Sequence, residues 1–142
     1  MGQSHADVCG KTFSCLVADD SVFARKNAGT IVSRVGGSVV GEAADGNEAL
    51  DLYCKLKPDL LLLDITMPAL DGVDTLRKIM DIDRNAKVIM VSSIGHKEMV
   101  MRALSLGAKH FVIKPYDHGH AGMIIRSVVD EGSGGTKCAT NI

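Results

Sequence analysis

Leu60-Leu61-Leu62-Leu63-Asp64, four leucines in a row closed by a carboxylate, is the stretch on which the reading of the chain turns. Apolar side chains at every position, rather than every second one, leave no face for water, so the run reads as a strand covered on both sides. Outward from it, shorter apolar runs at Cys15 to Ala18, Val39 to Val40, Val88 to Val91 and Phe111 to Ile113 are read the same way. Between them the apolar residues take helical spacing: Ala24, Ala28, Ile31 and Val35; Ala49, Leu52, Tyr53 and Leu56; Val73, Leu76 and Met80; Met99, Val100, Ala103 and Leu106. Gly36-Gly37 and Gly107 stand where two helices should stop, and Asp45-Gly46 and Asp71-Gly72 where two others should start. A fifth helix follows from Ala121, Ile125 and Val128. It is expected to fray or start late, because Gly119 and Gly122 each cost about 1 kcal/mol relative to Ala.

Five alternations of strand and helix predict an α/β fold: a single five-stranded parallel sheet with right-handed crossovers and helices on both faces. The 142 residues suit one domain. It is placed at residues 12–131, with a flexible N-terminus at 1–11 and a disordered tail at 132–142 that opens on the glycine-rich stretch Gly132 to Gly135. Sixteen basic against 17 acidic residues leave no basic field for phosphate backbones or acidic membranes, so neither nucleic-acid binding nor membrane insertion is expected. No apolar run approaches the roughly 20 residues of a membrane span, and Met1 to Asp7 is polar; the expected address is the cytoplasm. Four scattered cysteines form no metal-binding or disulfide pattern.

Parallel sheets of this kind bind ligands beyond the carboxyl ends of their strands, and there the chain places its polar inventory. The first run ends in Asp19-Asp20, the third in Asp64, the fourth in Ser92-Ser93 and the fifth in Lys114-Pro115. Three crowded carboxylates raise one another's pKa unless a cation sits among them. Magnesium suits the site, since it prefers oxygen ligands and keeps waters that phosphate oxygens can replace. Asp64 could then serve as nucleophile toward a phosphoryl group whose oxygens meet the metal, the Lys114 ammonium and the Ser92 hydroxyl.

These segments carry a resemblance. Val17-Ala18-Asp19-Asp20-Ser21, Leu63-Asp64-Ile65-Thr66-Met67-Pro68 with Asp71-Gly72, Val91-Ser92-Ser93 and Val112-Ile113-Lys114-Pro115 follow in order. Separations are 44 residues from Asp20 to Asp64, 28 from Asp64 to Ser92 and 22 from Ser92 to Lys114. The chain so resembles the receiver domains of two-component response regulators, most of all the stand-alone, CheY-like chemotaxis kind, over roughly Thr12 to Val129. The resemblance implies a flavodoxin/CheY-like strand order 2-1-3-4-5, taken over from that family. It also implies that Asp64 is the phosphoacceptor, and that Asp19, Asp20, Asp64 and the backbone carbonyl of Thr66 hold Mg²⁺ or Mn²⁺. Lys114 would pair with the phosphoryl group, across a cis bond to Pro115, and Ser92 would move toward that group as Phe111 swings inward. A sensor histidine kinase would be the donor. A downstream target would dock on the fourth and fifth helices and the last strand, in chemotaxis or a phosphorelay. The protein would be a signalling phosphoacceptor that assists its own phosphorylation and dephosphorylation, and not an enzyme acting on other substrates.

Thr66, two residues after the acceptor, and Ile94, two after Ser92, are positions that vary in that family and are expected to tune the lifetime of the phosphoryl group. Ile94 can neither hydrogen-bond nor orient a water, so slow hydrolysis is expected. The alternative reading is an aspartate-nucleophile phosphatase of the haloacid-dehalogenase-like kind. Such enzymes want a second acid two residues after the nucleophile as general acid/base, where this chain has Thr66. A receiver-like binding module that is never phosphorylated is a third possibility, made less apt by the complete acceptor set.

Overall fold

The computed structural model describes residues 12–67, 71–93 and 95–131; the expectations for residues 1–11 and 132–142 fall outside them. Ten elements alternate: β1 (Phe13–Ala18), α1 (Val22–Arg34), β2 (Gly37–Ala43), α2 (Gly46–Leu56), β3 (Leu60–Asp64), α3 (Gly72–Ile82), β4 (Val88–Ser92), α4 (Lys97–Leu106), β5 (His110–Ile113) and α5 (His118–Asp130). The strands form one parallel sheet in the order β2-β1-β3-β4-β5, as the family resemblance implied. No helix among the described residues is long and apolar enough to cross a membrane.

Most helix starts follow from a side chain that satisfies an orphan N–H in the first turn. Ser21 accepts from the Ala24 amide at 3.2 Å, Asp71 from Asp74 at 3.0 Å and Asp117 from His120 at 2.8 Å. At α2 the exchange is two-way: Asp45 accepts from the Glu48 amide at 2.8 Å, and the Glu48 carboxylate accepts from the Ala44 amide at 2.9 Å. Gly107, at φ 120°, ends α4 in a conformation that side chains disfavour.

The sheet separates two apolar layers. Leu16, Leu61, Leu63, Met90 and their neighbours pack under α2, α3 and α4, while Cys15, Val17, Leu60, Leu62, Ile89 and Val91 pack under α1 and α5. The alternation of Leu60 to Leu63 between the layers explains the unbroken leucine run. Truncation of any one of them to Ala should cost about 2–5 kcal/mol.

Two expectations are corrected. Strands β2 and β5 are not covered on both sides: they are the sheet edges, and β2 alternates half-buried with exposed positions until Ala43. The helix α5 does not start late but begins at His118, ahead of Gly119. The Asp117 cap offsets the propensity cost, and Gly122 lets α5 approach α1 closely, since a Cβ there would lie 3.1 Å from a Val35 methyl. Along α4 the face read from the sequence is borne out, with Ala103 buried, Met99 and Leu106 packed against the core, and Met101 and Leu104 exposed off it.

Candidate functional site

Strand β1 delivers Asp19 to the carboxyl edge of the sheet, where four bonds hold it. Its amide donates to the Ala43 carbonyl at 2.9 Å, and its own carbonyl accepts from Arg25 Nη1 at 2.6 Å. Its carboxylate accepts from the Ser21 amide at 3.0 Å and from Lys114 Nζ at 2.8 Å. Arg25 is steadied in turn by Glu42 at 2.8 Å. Asp64 is the last residue of β3, and the start of α3 lies directly on its backbone. The Gly72 amide donates to the Ile65 carbonyl at 2.8 Å, and any side chain at Gly72 would run into the Asp64 carbonyl oxygen. Only a glycine permits that approach. On the other side, Ser92 closes β4 fully buried, and its carbonyl accepts from the Lys114 amide at 2.8 Å, which sets the lysine at the same edge.

The carboxylates of Asp19, Asp20 and Asp64 offer oxygens that all lie within 4.8 Å of one another. Asp19 and Asp64 are buried and Asp20 is exposed, so the cluster has a dry floor and a wet mouth. Burial pushes the Asp64 carboxyl up to about 6; the charges of Asp19 and Asp20 push the same way, while Lys114 and the Thr66 amide pull it back. For Lys114, burial disfavours the ammonium, yet the bond to Asp19 and the charges of Asp64 and Asp19 outweigh it and hold the group above its usual range. The pocket is thus short of positive charge for three acids and one lysine. A hard divalent cation with oxygen ligands matches both the donor set and the deficit.

Of the residues singled out in the sequence, Asp19, Asp20, Asp64 and Lys114 come together, with Ser92 at the neighbouring strand end. Thr66 is exposed and reaches Asp64 through its backbone amide. Phe111 is not part of the acid pocket; it sits half-buried on β5 beside Met90 and packs into the layer under α4. The bond between Lys114 and Pro115 is cis. Ile94 lies outside the described residues. Sequence reasoning missed Arg25, which holds the Asp19 carbonyl. An arginine early in the helix after the acid pair was a usable signal for it.

Comparison with known proteins agrees with this geometry. The family model of the response regulator receiver domain matches residues 15–125. The chain is 45% identical to the chemotaxis protein CheY of Thermotoga maritima over 101 residues, 71% of this chain and 84% of that one. With the chemotaxis protein CheY of Treponema pallidum the identity is 43% over 110 residues, 76% of each chain. Among solved structures, a chain of the CheX-CheY-BeF3-Mg complex from Borrelia burgdorferi superposes with a TM-score of 0.80 at 41% identity, covering 82% of this chain and 88% of that one.

Proposed function

The chain belongs to the response regulator receiver domain family, and from that premise we propose that it accepts a phosphoryl group on Asp64 from the phosphohistidine of a sensor histidine kinase. The observation that carries the proposal is the convergence of Asp19, Asp20 and Asp64 within 4.8 Å, with Lys114 bonded into the same cluster at 2.8 Å. An Asp64 carboxylate oxygen forms the new bond to phosphorus as the bond from phosphorus to the donor imidazole breaks. The imidazole nitrogen keeps the electron pair. Lys114 offers its ammonium to the phosphoryl oxygens, and the Ser92 hydroxyl is the neutral donor on the adjacent strand. Mg²⁺ or Mn²⁺, held by Asp19, Asp20, Asp64 and the Thr66 carbonyl, would neutralise the acids and the transferring oxygens. The acid deficit of the pocket supports that donor set, as does the magnesium named in the Borrelia burgdorferi complex.

Ser92 is proposed to follow the new charge, with Phe111 swinging further into the layer it already touches. That change would alter the face of α4, β5 and α5, where Met101, Leu104 and Ile113 stand exposed and offer apolar contact to a target. A CheY-like role in chemotaxis is supported by the CheY relatives, and Thr66 and Ile94 are proposed to set the phosphoryl lifetime. Family membership favours this reading over the phosphatase alternative. The test is incubation with acetyl phosphate and Mg²⁺ followed by intact-mass measurement. One added phosphoryl group per chain, absent from Asp64→Asn, is expected; continued turnover of a phosphomonoester with no labelled protein would overturn the reading.

A further inference from the structure

The guanidinium of Arg25 spans two elements of the fold. Its Nη1 donates to the Asp19 carbonyl oxygen at 2.6 Å, and its Nε donates to Glu42 on β2 at 2.8 Å. The Arg25 side chain is 14% exposed and that of Glu42 50%, so the arginine is set into the structure while its partner faces the solvent. An ordinary surface ion pair contributes little, but this one continues onto a backbone carbonyl. Strand β2 grips Asp19 a second time, since Ala43, next to Glu42, accepts from the Asp19 amide at 2.9 Å.

These contacts bear on Asp20. The Asp19 carbonyl belongs to the planar peptide group that joins Asp19 to Asp20, so the arginine fixes the plane from which Asp20 departs. The next peptide group is held too, because the Ser21 amide donates to the Asp19 carboxylate at 3.0 Å. Asp20 therefore sits between two anchored peptide planes, while among the described residues no hydrogen bond or ion pair engages its exposed carboxylate. Yet that carboxylate offers an oxygen within 4.8 Å of those of Asp19 and Asp64. We infer that Arg25, braced by Glu42, is a positioning residue for the cation site: by fixing the Asp19–Asp20 peptide plane it keeps Asp20 where its carboxylate can share a divalent ion with Asp19 and Asp64. The role is geometric and not a matter of charge alone. A lysine would keep the positive charge, but its ammonium on a flexible stem lacks the rigid fork that meets two acceptors at once.

The inference rests on the reading of the acid cluster as a Mg²⁺ site for phosphoryl transfer, and its test separates the two. Mg²⁺ binding to the unphosphorylated full chain is measured by calorimetry for wild type, Arg25→Lys, Arg25→Met, Glu42→Gln and the double variant of Arg25→Met with Glu42→Gln. Phosphoryl uptake from acetyl phosphate across a Mg²⁺ titration and urea unfolding in EDTA are recorded alongside. Removing a group that orients a metal ligand weakens the metal, and a roughly tenfold loss of Mg²⁺ affinity is expected for both Arg25 variants. Glu42→Gln should lose less, and the double variant no more than Arg25→Met. The half-saturating Mg²⁺ concentration for uptake should rise by the same factor, while the rate at saturating Mg²⁺ stays within about twofold of wild type. Should Arg25→Met fail to fold, Arg25→Lys and Glu42→Gln carry the comparison. Urea stability lowered in EDTA with Mg²⁺ affinity unchanged would overturn the brace, as would Arg25→Lys binding as tightly as wild type. Wild type that binds Mg²⁺ but takes up no phosphoryl group would sink the phosphoacceptor reading and leave the brace to be decided by the affinities. Wild type that binds no Mg²⁺ would end both.

Discussion

Replacing Asp64 by Asn should stabilise the metal-free protein while abolishing phosphoryl acceptance. The acceptor is held at a pKa of about 6 against an ordinary 3.8, with burial the largest cause and the Asp19 charge next. For an acid with a raised folded-state pKa, the folded chain binds an extra proton between the two values. Stability therefore falls as pH rises from about 4 to about 6, and the cost is fully present above that. Two pKa units correspond to about 3 kcal/mol as a ceiling. The mouth of the pocket is wet at Asp20, so about 1–2 kcal/mol is the expected cost after solvent screening. Asparagine, neutral at every pH, escapes it. Urea unfolding in EDTA at pH 8 should show the variant more stable by about 1–2 kcal/mol, with the gain roughly halved at pH 5, where the wild-type carboxyl is largely protonated. Adding Mg²⁺ should then raise the stability of the wild type by mass action and that of the variant far less. An Asn variant no more stable than wild type in EDTA, or a gain identical at both pH values, would refute the claim that the three acids compete for too little positive charge.

Two further outcomes follow from the same site. Gly72→Ala places a methyl group against the Asp64 carbonyl oxygen, so α3 or the end of β3 must shift; the urea midpoint should drop by the equivalent of about 2 kcal/mol. Phosphoryl uptake by that variant should slow, because the acceptor's own backbone moves. Ile94→Glu should speed loss of the phosphoryl group by roughly tenfold, or about 1.4 kcal/mol of barrier, by giving the attacking water a hydrogen-bonding partner. Decay of the phosphorylated mass under matched Mg²⁺ measures this, and an unchanged rate would remove Ile94 from the account.

The layered fold was legible because its central strands are buried on both faces, and Leu60 to Leu63 can satisfy that demand only by being apolar throughout. Legibility failed at the edges for the same physical reason. A strand with one neighbour needs fewer apolar residues, so β2, running from Gly37 to Ala43, announced itself only through Val39 and Val40. The start of α5 was misjudged because propensity was weighed without tertiary context: Gly119 and Gly122 are costs in an isolated helix, while in the fold Gly122 is what admits Val35 at the end of α1.

Strand ends made the site legible to a further degree, since a parallel sheet brings its carboxyl ends to one edge whatever the side chains do, and Asp20, Asp64, Ser92 and Lys114 each follow an apolar run. Pairing inside the site obeys a different logic. Lys114 donates to Asp19, 95 residues away, and that choice depends on rotamers and on where the loop after β5 is anchored. No periodicity encodes either. The strand ends determine which groups meet, while the half-buried polar contacts behind them determine at what separation they are held. Substitutions of the second kind should therefore change phosphotransfer rates with little effect on the overall fold.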